Sequence, residues 1–256
     1  MNAERYALEA GLLADPDNLA AHAAYADWLI EHDDPRGEFL RLQLALEADD
    51  VGKVVRRRPW NDDPRLRQAV KRLLPQVLGR LLMHTELAAG RKPGSGTVAV
   101  RFHRGWIDEL KIEKATPRIL AAVATVPTLL LRSLRITEPC DRSITAALGR
   151  LPLPGLRSLV IDDHQFTDDD LAVIVSAPYF AVLEEFVMYR GGTITDSGAV
   201  LLAEALSKRP RMRLTISGNY ISPIGRAALA DVGYGSGIQR FDQPFESPVP
   251  DPTVWI

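Results

Sequence analysis

Carboxylates and an imidazole crowd into one short stretch of this sequence, Asp162-Asp163-His164 followed by Asp168-Asp169-Asp170. Carboxylate oxygens beside a histidine nitrogen can hold a divalent cation or pass protons as acid and base. A second polar group, Asp27, Arg36, Glu38 and Arg41, falls around Trp28. The cations Lys53, Arg56, Arg57, Arg58, Arg65, Arg67, Lys71 and Arg72 have the composition of a phosphate-binding patch, whose affinity would fall steeply with salt. The one cysteine, Cys140, excludes an intrachain disulfide framework and any site built from several thiolates.

Position along the chain gives each group a plainer role. Asp168, Asp169 and Asp170 open a helix, where negative charge is favoured, and Asp162 and Asp163 follow a strand. The group around Trp28 has no acid-base or nucleophile spacing; Arg36 and Glu38 are expected to pair with Asp27 or to cap neighbouring helix ends. Residues 1–52 carry three Lys/Arg against twelve Asp/Glu and residues 53–104 carry thirteen against three, within an overall formal charge of −2. Adjacent segments of opposite sign attract each other without an external partner, and beyond Trp60 the basic run lacks aromatics for base stacking. Nucleic acid is therefore not the expected partner, and binding of nucleic acid or an acidic ligand through residues 53–104 is the second reading. No phosphate-binding glycine loop, G-x-S-x-G, paired-cysteine or H-E-x-x-H motif occurs. The expectation is a protein that is not an enzyme, with no metal and no cofactor.

The elements that must carry these residues repeat. Ile107-Asp-Glu-Leu110-Lys-Ile112, Leu131-Arg-Ser-Leu134-Arg-Ile136, Leu156-Arg-Ser-Leu159-Val-Ile161 and Leu183-Glu-Glu-Phe186-Val-Met188 are apolar at positions one, four and six. A weaker fifth copy, Leu214-Thr-Ile216-Ser-Gly-Asn219, has Arg211 at its first position, and the starts are 24, 25, 27 and 28 residues apart. Between the later strands Phe166-Thr-Asp168, Ile194-Thr-Asp196 and Ile221-Ser-Pro223 recur in register, each supplying an N-cap oxygen before an apolar run at helical spacing.

This pattern resembles the ribonuclease-inhibitor type of leucine-rich repeat over about residues 105–243. The resemblance implies an α/β solenoid with parallel strands on a concave face and helices on a convex one; the first two repeats are short and leave their convex side open between extended chain and partial helix. The non-leucine strand positions would form a concave ladder of Lys111 and Glu113, Arg135 and Thr137, Val160 and Asp162, Val187 and Tyr189, Thr215 and Ser217, edged by Glu138, Asp163 and Arg190. With a basic start and an apolar-aromatic middle, it is expected to take a protein or peptide, with Tyr189 as the anchor. Eukaryotic Ran GTPase-activating proteins share this class of repeat, so a GTPase-regulator-like role is a third reading, on fold likeness alone.

The N-terminal part reads as helices over Glu4 to Leu13 and Leu19 to Glu31, a third from Pro35 through Leu46, and a fourth from Pro64 to Leu87 kinked at Pro75. Tyr25, Trp28 and Leu29 share one face. The string Tyr25-Ala-Asp-Trp-Leu29, with Asp34-Pro-Arg-Gly-Glu-Phe-Leu-Arg-Leu-Gln43 after it, resembles the short bacterial repeat-companion domain, and Phe102-His-Arg-Gly-Trp106 fits that arrangement. Asp33 stands where that family usually has glycine and is expected to accept a left-handed conformation. The organisation is then a helical domain at 1–50, a basic helical connector and leading strand at 51–104, repeats at 105–243, and a Pro-rich tail at 244–256 that either caps the last repeat or protrudes as a partner-binding motif. No apolar run is long enough to span a bilayer and no secretory signal opens the chain, so the expected compartment is the cytoplasm.

Overall fold

The computed structural model describes residues 3–50, 64–85, 97–137, 142–162, 165–189, 193–207, 209, 212–217, 220–234 and 238–239. Three helices open the chain: α1 (Ala3–Ala14), α2 (Leu19–Glu31) and α3 (Pro35–Asp50). Asn18 caps α2 by accepting from Ala21 N at 3.0 Å. Asp33 takes a φ of 54° in the turn before Pro35, the left-handed conformation expected of it. The next helix, α4 (Pro64–Leu78), runs through Pro75 and stops at Gly79, and a 3-10 turn, Gly79–His84, replaces the expected continuation to Leu87.

Strands β1 (Val98–His103) and β2 (Trp106–Glu113) form an antiparallel hairpin in which His103 faces Trp106. Its two-residue turn, Arg104-Gly105, has φ of 49° and 78°, the left-handed pair that matches strand twist. From β2 the chain alternates: α5 (Pro117–Val123), β3 (Ser133–Thr137), α6 (Arg142–Leu148), β4 (Ser158–Asp162), α7 (Asp168–Val175), β5 (Glu185–Tyr189), α8 (Asp196–Leu206), β6 (Arg213–Ser217), α9 (Pro223–Asp231) and the two-residue β7 (Ile238–Gln239). The result is an open seven-stranded sheet in strict sequence order, parallel from β2 onward.

Hydrogen bonding puts Leu110, Leu134, Leu159, Phe186 and Leu214 in one row and Ile112, Ile136, Ile161, Met188 and Ile216 in the next, the positions that the sequence repeat aligns. All ten are buried. Helices α5 to α9 pack each on the next and cover this side of the sheet. The two short repeats, open at the sequence level, each hold a seven-residue helix. In the fifth copy Met212 is buried at 5% exposure and fills the core beside the irregular Arg211, which lies outside the described residues.

Candidate functional site

Strand alternation turns the other set of side chains away from the helices. Lys111, Arg135, Val160, Val187 and Thr215 form one row across five strands, and Glu113, Thr137, Asp162 and Tyr189 form the next. Ser217 ends β6 two residues after Thr215. All ten expected ladder residues thus share one face of the sheet. Glu138, Asp163 and Arg190, expected along its edge, lie outside the described residues, as do Cys140, His164, Asn219 and the 244–256 tail.

The ladder differs from expectation in its middle. Val160 and Val187 are 6% and 4% exposed, because each stands at the centre of its strand with neighbouring rows on every side. The side chains open to solvent are polar, and Tyr189, half-buried, is the aromatic among them. Burial pushes the Tyr189 hydroxyl's pKa up, with Arg135 opposing and Glu185 and Asp162 reinforcing. Most charge here is internally paired: Lys111 Nζ donates to Glu113 at 2.5 Å, Arg101 pairs with Glu109, and Arg213 lies 3.5 Å from Glu185, whose other oxygen accepts from Ser158 at 2.7 Å. Arg135 has no ion-pair partner among the described residues.

At the other end of the sheet the β1–β2 hairpin docks into the N-terminal helices, a contact the sequence reading did not foresee. Arg104 grips Glu47 through Nε at 2.8 Å and Nη2 at 2.7 Å, and donates to Pro16 O at 3.2 Å and Asp17 at 3.3 Å. Its bond holds the Glu47 carboxyl below the ordinary value. Gly105 N donates to Gln43 Oε1 at 2.8 Å, and a β-carbon at Gly105 would sit 2.6 Å from Leu40 Cα. Trp106 stacks on Tyr25 with centroids 5.3 Å apart, in a cluster with Leu12, Trp28, Leu29, Leu40 and Leu130. The only trace of this in the sequence is that the strings around Tyr25 and Trp106 both occur in one chain.

The polar residues near Trp28 pair differently from the expectation. Asp27 meets Arg41 at 2.8 Å, Arg36 grips Asp34 through Nε at 2.9 Å and Nη2 at 2.5 Å, and Glu38 pairs with Arg72 of the basic segment. Arg36 lies in the first turn of α3, where Asp34 is nearest; Arg41, further along, is the one that reaches across to Asp27 on α2. A groove of about 770 Å³ opens beside them, with Arg5, Glu9, Asp34, Arg36 and Trp106 among its walls. Four of its charges neutralise in pairs, Arg5 with Glu9 at 2.7 Å and Arg36 with Asp34.

Asp162 and the pair Asp168 and Asp170, offered by the sequence as metal ligands, lie on opposite sides of the sheet. Asp170 accepts from Thr167 N and Oγ1, closing a capping box on α7, and Asp168 accepts from Thr195 N at 3.0 Å and Oγ1 at 2.6 Å. Asp162 lies on the ladder. Among the described residues no three His, Cys, Asp or Glu side chains form a metal-ligating group, and no helix is long and apolar enough to cross a membrane. No protein-family model matches the chain, and no curated protein matches it in sequence.

Proposed function

We propose that this protein is a non-catalytic, cytoplasmic interaction module. In this reading a short leucine-rich-repeat array binds a protein or peptide on its sheet face, and the first repeat is closed by an N-terminal helical unit of repeat-companion type. The observation that carries the reading is the register of the ladder: five neighbouring strands present aligned, largely polar side chains with one aromatic on the face turned away from the helices. Repeat proteins use such extended faces for binding.

Two further facts support it. The side chains that first suggested catalysis, Asp168, Asp170, Asp27, Arg36 and Glu38, are engaged in caps and ion pairs. The described basic residues Arg72 and Arg104 are paired with acidic residues of α3, which lowers the charge left for a polyanion. The test is affinity capture from a bacterial lysate with the wild-type protein beside a Tyr189→Ala, Arg135→Glu variant, both checked by circular dichroism. A protein retained by the wild type and lost from the variant is the expected result. Nuclease-sensitive capture by both would move the function to residues 53–104.

A further inference from the structure

Among the described residues, one cation of the sheet face has no carboxylate within ion-pair distance. Lys111, Arg101 and Arg213 each have a carboxylate of the same face within 4 Å, and Arg132 at the foot of the sheet is bound to Asp108 at 2.5 Å. Arg135 alone, half-buried in the middle row, has none among the described residues. Guanidinium is the side chain best shaped to take a carboxylate through two parallel bonds.

Beside it the middle row continues as Val160 and Val187, recessed to 6% and 4% exposure, and the half-exposed ring of Tyr189 stands in the next row, two residues on from Val187. Tyr189 lies two strands over and two residues along from Arg135. With strands about 4.8 Å apart and a rise of about 3.3 Å per residue, the two positions are separated by about 12 Å. Same-side residues i and i+4 of an extended chain are about 13 Å apart, so one such chain spans both.

Resting on the sheet-face reading above, we propose that the ladder's partner is an extended peptide segment with a carboxylate side chain at Arg135 and an apolar side chain, about four residues away, against the Tyr189 ring. The recessed valines ask for no hydrogen bond from the segment that passes over them.

The experiment is selection of random twelve-residue displayed peptides on the full chain, followed by titration of enriched synthetic peptides. Enriched sequences are expected to hold Asp or Glu four residues from an apolar residue, the same-side spacing, in preference to three or five. They should bind Arg135→Glu at least about tenfold more weakly, with Arg135→Gln intermediate. Changing their acidic residue to Lys should restore binding to Arg135→Glu. Enriched peptides with no acidic preference, or with an acidic residue whose reversal does not rescue Arg135→Glu, overturn the carboxylate assignment. The sheet-face reading survives that result if those peptides are still weakened by Tyr189→Ala. Peptides indifferent to both positions, or no enrichment at all, overturn both.

Discussion

Replacing Asp168 and Gly198 by alanine, singly and together, tests how neighbouring repeats are locked. Asp168 begins α7 and reaches across to the N-cap of the next helix, accepting from Thr195 N at 3.0 Å and from Thr195 Oγ1 at 2.6 Å. Both bonds are solvent-exposed, so Asp168→Ala leaves donors that water can satisfy, and the loss is about 1 to 1.5 kcal/mol. Gly198 lies three residues after that N-cap, where a β-carbon would collide with Asp168 Oδ1 and stand 2.9 Å from Ile194 Cγ2. Alanine there gains about 1 kcal/mol of helix propensity but displaces the carboxylate and crowds Ile194, a net cost of about 1 to 3 kcal/mol. In the Asp168→Ala background the collision and the two bonds are already gone, and only the Ile194 contact opposes the propensity gain. Gly198→Ala should then change stability by less than about 1 kcal/mol, a coupling of about 1 to 2 kcal/mol between the sites. Urea unfolding of the four proteins, followed by far-ultraviolet circular dichroism, measures this directly. Costs that add to within about 0.5 kcal/mol would refute the proposed clash.

Two further expectations concern the junction of the hairpin with the helices. Gly105→Ala combines a φ of 78° with a β-carbon 2.6 Å from Leu40 Cα, a backbone atom that cannot swing aside. The melting temperature should fall by about 5 °C or more, with altered Trp28 and Trp106 fluorescence, and a shift below about 1 °C would contradict the close approach. His22 is 1% exposed; its Nε2 bonds to Pro16 O at 2.9 Å, the same carbonyl that accepts from Arg104. Burial lowers its pKa, Arg104 lowers it further, and the Pro16 carbonyl, Glu47 and Asp17 oppose. His103, on the same hairpin, is lowered by burial and by Arg104 and Arg132, against Asp108 and Glu47. A depressed folded value means the unfolded chain binds protons first, so stability is intact above about pH 6.5 and is lost as pH falls through the lower folded values. Thermal melts between about pH 7 and 5 should show that loss, reduced in His22→Gln; a profile that rises on acidification in that window would overturn the sign.

The strands were readable because burial on one face repeats with fixed spacing. The last two apolar positions of each aligned triplet pair strand by strand in the sheet, Leu134 with Leu159 and Leu159 with Phe186, Ile136 with Ile161 and Ile161 with Met188. Alternation also assigns the ladder to the opposite face, but it gives direction and not depth. Val160 and Val187 point to the predicted side and are still buried, because depth depends on the size of neighbours two residues and one strand away. The hairpin junction left a weaker trace. Arg104, Gly105 and Trp106 meet Glu47, Gln43 and Tyr25 across 57 to 81 residues, and a single docking event has no period from which to read it.

The helix caps are the case in which a local rule was legible and its long-range half was not. Thr167, Thr195 and Ser222 read as N-caps from their own surroundings, and each accepts from the following turn. What the surroundings do not reveal is that Asp168 and Asp196 serve the next repeat: Asp196 accepts from Ser222 N at 2.8 Å, Ser222 Oγ at 2.6 Å and Gly225 N at 3.2 Å. The residue types at the two equivalent positions follow from this. Gly198 and Gly225 make room for a carboxylate arriving from the preceding helix. Asp170 holds the same place in α7, where the N–H and hydroxyl of Thr167 are satisfied by Asp170 itself. At the other end Pro223 stands where Asp168 and Asp196 stood and has no side-chain oxygen to pass on, so the aspartate chain closes at α9. A carboxylate position and a glycine position that look independent along the chain are thus one device, coupled across adjacent repeats.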